Sequence, residues 1–195
     1  MRKLNLSAGH SVTIWDGFGK PALHQADRGI IVNNPVQRQL VEGDLNARLR
    51  RFISLQLDYL GVEYTLDHDE SVLRDSIAFF RKLVKPEDIA IEIHFNGGGG
   101  HGAEVIIPEN PSKYERKWGE RMSKLIAETL QIRDRGCKCE KTLGRRLGWM
   151  RVPCENFLPE ICFLDNPKDV EQYFKFKTVL VLKLADLFKE MREDI

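Results

Sequence analysis

The sequence contains no apolar run approaching the ~20 residues that a membrane-spanning helix needs, which argues against a membrane span. Cysteine is scarce: Cys137, Cys139, Cys154 and Cys162 are the four in 195 residues. They read as reduced thiols of a protein made in the cytoplasm. Neither the C-x-C at 137–139 nor the later pair has the spacing of a structural zinc site, so ordinary buried or half-buried thiols are expected. An excess of one charge is missing too. The net charge of +1 gives no global attraction to nucleic acid or to a membrane surface. The N-terminus starts basic, Met1-Arg2-Lys3, but carries no apolar h-region, so no signal peptide is expected. Repeats, low-complexity tracts and an obvious linker are absent. Short catalytic signatures are missing as well. There is no H-E-x-x-H, and Gly97 to Gly100 lack the Lys-Ser/Thr of a phosphate-binding loop.

What remains is a chain that is 42% hydrophobic and 30% charged, the composition of a soluble globular protein with a sizeable core. We expect a single domain over residues 1–195. Its most informative stretch is Asp88-Ile-Ala-Ile-Glu-Ile-His-Phe-Asn96. Ile89, Ile91 and Ile93 alternate with Ala90 and Glu92, a strand pattern. The run delivers His94 to the carboxyl end of that strand, beside a glycine loop, where open α/β sheets bind ligands.

Lys3 to Ser7 reads as a short strand ended by Ala8-Gly9-His10, which gives His10 a similar placement. Ser11 to Pro35, with Gly17, Gly19, Pro21, Gly29 and Pro35, reads as a long loop; Trp15 and Phe18 within it fit either loop packing or a ligand-stacking surface. From about Gln37 to Leu60 the period is helical, with Leu45, Leu49, Phe52, Gln56 and Leu60 on one stripe, Val41, Ile53 and Leu57 widening it, and Gly61 as its stop. Glu42 falls in the first turns and borders that stripe. Val62 to Leu66 is a strand, Ser71 to about Val84 a capped helix, Ala103 to Ile107 a strand and Ser112 to Leu130 a long helix. Arg133 to Arg151 is rich in base and glycine and reads as a β-hairpin or extended excursion, either a solvated face or a contact for an anionic substrate. Phe157 to Leu164 is the last strand, with Glu160 among apolar neighbours, and Pro167 opens a final helix to about Arg192.

His10, Glu42, His94 and Glu160 can be brought to one edge. Two imidazoles and a carboxylate, with a fourth position for water, is the make-up of a catalytic zinc site, and a second carboxylate supplies the proton transfers of hydrolysis. Singly, each position also fits a plain role: a hydrogen-bonded strand-end histidine, an acid favouring a helix N-terminus, a solvent-facing strand acid. His24, His68 and His101 are weaker candidates, although His101 follows the glycine loop.

Six ordered segments carry a resemblance. Ser7-Ala8-Gly9-His10 resembles the Asp-Ala-Gly-His opening of the zinc-dependent N-acetylmuramoyl-L-alanine amidases of the amidase type 3 family. Val41-Glu42-Gly43-Asp44-Leu45-Asn46 resembles the family's Glu-Lys-x-Leu-Asn helix start, and Ile91-Glu92-Ile93-His94-Phe95-Asn96 its Ile-Ser-Ile-His-Ala-Asn. Gly102-Ala103-Glu104-Val105, Arg135-Gly136-Cys137-Lys138 and Pro159-Glu160-Ile161-Cys162-Phe163-Leu164-Asp165-Asn166 are similar to its later Gly-x-Glu-Val, Arg-Gly-x-Lys and Glu-x-Gly-Phe-Leu-Ser-Asn. Ser11, Gly43, the Ile161-Cys162 pair and a longer first loop depart from the pattern.

The resemblance implies an α/β fold with a mixed, mostly parallel sheet and helices on both faces. It implies zinc bound by His10, Glu42 and His94, with Glu160 as catalytic carboxylate. It further implies hydrolysis of the amide between N-acetylmuramic acid and L-alanine in peptidoglycan. Without an export signal or a second wall-binding module, a phage-type lysin is expected. Such a lysin is made in the cytoplasm and acts on the cell wall after release. A bacterial enzyme lacking its export segment is the rival account. A related zinc exopeptidase and a non-catalytic wall-binding protein on the same fold are the other classes.

Overall fold

The computed structural model describes residues 1–10, 28–34, 38–68, 73–144 and 146–194. The expectations for Trp15, Phe18, His24, Ser71 and most of the Ser11 to Pro35 loop lie outside the described residues. A six-stranded sheet runs in the order β4 (Tyr64–Leu66), β1 (Leu4–Ala8), β5 (Ile89–Asn96), β8 (Glu155–Phe163), β6 (Ala103–Ile107), β7 (Asp134–Cys139). The β6–β8 pair is antiparallel and the other four pairings are parallel. The four helices are α1 (Glu42–Tyr59), α2 (Leu73–Arg81), α3 (Lys113–Leu130) and α4 (Pro167–Glu193). The sheet is the mixed, mostly parallel one expected.

Strand periodicity divides the two faces of the sheet. Leu4, Leu6, Ile91, Ile93, Val105, Phe157 and Ile161 join one large core with α1, α3 and α4, through residues such as Leu49, Ile53, Trp118, Met122, Leu184 and Phe188. Burying each such side chain stabilises the fold by about 1.5–3 kcal/mol. On the opposite face Ala90, Ile106 and Leu158 pack under a smaller cluster with Phe80 of α2 and Trp149 and Met150 of a 3-10 turn, Trp149–Arg151. That cover is short. Beyond it, toward the carboxyl ends of β5 and β8, the same face presents Glu92, His94, Glu160 and, from β6, Glu104 to a cleft.

Three expectations are corrected. The α1 helix begins at Glu42, not near Gln37, because Arg38–Val41 forms β3 and pairs antiparallel with β2 (Ile31–Asn34), a strand inside the expected loop. Ile31 and Val32 are β-branched and find partners in Val41 and Leu40. The helix also needs no side-chain cap, since the Glu42 and Gly43 amides donate to the carbonyls of Ile30 and Arg28. Phe52 is 51% exposed, because the buried stripe runs through Leu45, Leu49, Ile53 and Leu57 and leaves Phe52 on its flank. Arg133 to Arg151 is not a hairpin: residues 134–139 form β7, parallel to β6, followed by 3-10 turns at Glu140–Leu143 and Trp149–Arg151.

The other boundaries follow local chemistry. Gly61 takes φ +68 and ends α1, with the Val62 amide donating to the Leu57 carbonyl. Ser112 and Glu115 form a capping box at the start of α3. Asn166 caps α4 ahead of Pro167. The two chain ends meet at the amino edge of the sheet: the Arg2 amide donates to the Arg192 carbonyl, and Arg192 Nε donates back to the Arg2 carbonyl.

Candidate active site

Three segments far apart in sequence converge at the carboxyl ends of β1 and β5. The β1 strand stops at Ala8, and the Gly9 amide still donates to the Ile93 carbonyl at 2.8 Å. His10 then adopts φ +63, a left-handed conformation that histidine tolerates better than β-branched residues do. Glu42 is the first residue of α1, where the helix dipole favours a carboxylate. Asn46, one turn on, donates from Nδ2 to the Gly9 carbonyl at 2.6 Å and ties the helix to the β1 turn. His94 comes from β5 as expected, two residues before the strand ends.

The Glu42 carboxylate lies between the two imidazoles. Its Oε1 is 3.1 Å from His94 Nδ1 and its Oε2 is 3.5 Å from His10 Nε2. Backbone amides hold it in place: Ile30 donates to Oε2 at 2.9 Å and Phe95 to Oε1 at 3.3 Å. The two rings stand nearly perpendicular with centroids 5.1 Å apart. Burial pushes the Glu42 pKa up, but the hydrogen bond from His94 and the charges of His94 and His10 bring it below the usual carboxylate range. For His94, burial works downward, yet the Glu92 charge, the bonds to Glu42 and Glu92 and the Glu160 charge raise its pKa well above the ordinary histidine value.

The geometry can be compared with what a zinc ion requires. One ligand atom from each of His10, Glu42 and His94 lies within 4.8 Å of the others. Ligands 2.0–2.2 Å from a tetrahedral ion are about 3.3–3.6 Å apart. The 3.1 and 3.5 Å contacts, made to the two different oxygens of Glu42, fall close to that spacing. Two neutral imidazole nitrogens and a carboxylate are also a donor set that zinc accepts. The residues present therefore fit the ion. Two glycines make the room: a Cβ on Gly9 would fall 2.1 Å from His94 Nε2, and one on Gly29 would fall 2.4 Å from Glu42 Oε2.

Glu160 pairs in register with His94 across β5 and β8, one strand spacing of about 4.8 Å away. It lines the same cleft of about 700 Å³. The four residues singled out in the sequence thus border one cavity. His101 and His68 are exposed and stand outside the cluster. The four cysteines are free thiols, and burial pushes those of Cys137, Cys154 and Cys162 up.

The cleft has two further features. Leu73, Leu143, Leu147 and Trp149 give it an apolar flank. Arg135, from the basic stretch, forms part of its polar wall. Its Nε donates to Glu104 at 2.6 Å and its guanidinium lies over the Phe163 ring. Lys138 also bonds Glu104, and Arg151 is taken up by buried Glu140. Burial pushes the Glu104 pKa up, but Lys138 and Arg135 hold it below the usual range. Sequence reasoning missed Glu92. It is 3% exposed, and its Oε2 lies 2.9 Å from His94 Nε2. The available signal was its spacing: two residues before His94 on one strand is the same face.

The sequence profile of a family described as N-acetylmuramoyl-L-alanine amidase matches residues 12–177. Glu42, His94 and Glu160 lie inside that range and His10 two residues before it. No curated protein sequence matches the chain. Among solved structures, an N-acetylmuramoyl-L-alanine amidase from Clostridium difficile superposes with a TM-score of 0.74 at 15% identity, covering 100% of this chain and 99% of that one. The catalytic domain of CwlV, an amidase from Bacillus (Paenibacillus) polymyxa, gives 0.73 at 18% identity with 97% of each chain covered. The catalytic domain of an endolysin targeting Clostridia difficile gives 0.71 at 18% identity, with 100% and 98% covered. At these identities the likeness is one of fold.

Proposed function

This chain belongs to the N-acetylmuramoyl-L-alanine amidase family, and on that premise we propose that it is a zinc-dependent hydrolase of the amide joining N-acetylmuramic acid to L-alanine in peptidoglycan. The observation that carries the zinc reading is the convergence of His10, Glu42 and His94 within 4.8 Å, from segments 32 and 52 residues apart, with Glu160 bordering the same cleft. His10, Glu42 and His94 would hold the zinc, whose chemistry when bound would be to polarise the scissile carbonyl and lower the pKa of a water to about 7.

The chain's own residues do the rest. His10 and His94 would bind the ion as neutral imidazoles, so the proton that the Glu92 charge and the bonds to Glu42 and Glu92 favour on His94 would be released on binding. The Ile30 and Phe95 amides keep the Glu42 carboxylate from turning away. Glu160 accepts a proton from the attacking water and returns it to the leaving alanine nitrogen, a transfer worth about 10²–10⁴ in rate. Arg135 faces the cleft and offers a cation to carboxylates of the stem peptide. The apolar flank excludes water beside the reacting bond.

We further propose that residues 1–195 act as one catalytic unit and that the protein is a lysin of phage type, made in the cytoplasm and working on the cell wall after release. An endolysin catalytic domain shares this fold, as do bacterial amidases. The test is digestion of purified cell walls, with fragments read by mass spectrometry. Intact stem peptides beginning at L-alanine are expected; amino acids lost from the stem with the sugar–peptide link intact would refute the assignment. Glu160→Gln should keep zinc by elemental analysis and lose about 10²–10⁴ in rate. Full activity in that variant would remove Glu160 from the mechanism.

A further inference from the structure

Glu92 is a buried acid that the mechanism above does not use. It projects from β5 on the same face as His94, and among the described residues its carboxylate finds its hydrogen-bond partner in that ring, Oε2 to Nε2 at 2.9 Å. The two nitrogens of one imidazole point to opposite sides. Nδ1 is turned to Glu42 and the ligand cluster at 3.1 Å, so Glu92 stands behind the ring, away from the cluster. It lines the same cleft but is not one of the three clustered ligand candidates. Burying a carboxylate is costly without a partner that uses its charge.

We propose that Glu92 is a positioning residue of the centre: by accepting the Nε2 proton of His94 it fixes the tautomer and the ring plane, so that Nδ1 presents its lone pair to the ion. A carboxylate behind a ligating imidazole also makes the opposite nitrogen a stronger donor. Gly9 makes room for the ring, since a Cβ there would fall 2.1 Å from its Nε2 and Cε1. The proposal rests on the zinc reading of the same cluster.

The test compares wild type, Glu92→Gln and Glu92→Ala at one fixed pH. Zinc affinity is measured by competition with a chromogenic chelator, and the visible spectrum of the cobalt-substituted protein is recorded. Removing such a partner is expected to weaken metal binding about 10–100-fold, with Glu92→Ala at the upper end, Glu92→Gln partly rescued and the cobalt bands of Ala shifted. If wild type binds neither zinc nor cobalt, the zinc reading fails. If wild type binds and both variants match it in affinity and spectrum, Glu92 has no positioning role and the zinc reading stands. A readout on the unaltered protein covers variants that do not fold. In the zinc-loaded protein, nitrogen-15 NMR should find the His94 proton on Nε2 and the metal on Nδ1. Metal on Nε2 overturns the proposal.

Discussion

The sharpest prediction concerns Gly9, which touches no substrate in the mechanism proposed here. In Gly9→Ala the new methyl carbon would lie 2.1 Å from both Cε1 and Nε2 of His94, more than about 1 Å short of van der Waals contact. The backbone at Gly9 has little freedom to retreat: its amide is bonded to Ile93 and its carbonyl to Asn46. The ring must therefore move, and in doing so it leaves Glu42 on one side and Glu92 on the other. Misplacing a reacting group by about 1 Å costs on the order of 10²-fold in rate, or about 2.7 kcal/mol. The assay is release of stem peptides from purified walls, with zinc content measured on the same sample and folding checked by circular dichroism. A folded variant with at least tenfold lower zinc affinity and about 10²-fold lower kcat/KM is expected. Wild-type affinity together with wild-type turnover would show that the His94 ring does not occupy the position that makes it a ligand.

Chelation should abolish turnover and added zinc restore it. Because the His94 pKa is raised, the proton competes with zinc from above the ordinary histidine range, so affinity should fall on acidification; an affinity flat across neutral pH would contradict this. In the metal-free protein the sign is opposite: the raised His94 pKa contributes stability that is complete below the unfolded histidine value and lost as pH rises through the folded one, a trend that denaturant titrations at several pH values would reveal. Glu104→Gln should cost about 1–3 kcal/mol at neutral pH, because Arg135 and Lys138 lose their shared partner. The wild-type advantage should be present above the ordinary glutamate range and vanish as pH falls through the lower folded pKa; an advantage that persists in acid would refute that account. Phe157→Ala, at a fully buried ring, should cost about 3–5 kcal/mol by denaturant midpoint.

Much of the fold was legible because period and punctuation agreed. The isoleucines at 89, 91 and 93 mark a strand, Gly61 a helix end, and Ser112 a helix start. The candidate cluster was legible through ordered motifs, not through spacing, since His10, Glu42 and His94 are joined only by strand pairing and a helix entry. Other features depend on partners that no local window contains. Arg38–Val41 is a strand because Ile31–Asn34 lies beside it, and residues 134–139 are a strand because β6 offers a free edge. Phe52 satisfies helical period with Leu45 and Leu49, but the packed stripe runs on through Ile53 and Leu57, and Phe52 lies about 100° round the helix from Ile53. Glu92 read as an ordinary polar alternate, because alternation does not say which face of a central strand will carry chemistry.

The clasp between Arg2 and Arg192 has a practical side. Both ends emerge beside the starts of β1, β5 and β8, whose registered first residues are Leu4, Ile89 and Glu155, while the cleft opens at the far ends of the same strands. A short peptide bridging the termini would close the chain into a ring without crossing the substrate's approach, and new termini could be cut elsewhere. A module fused at either end would likewise hang at the end of the sheet opposite the cleft, leaving its mouth open.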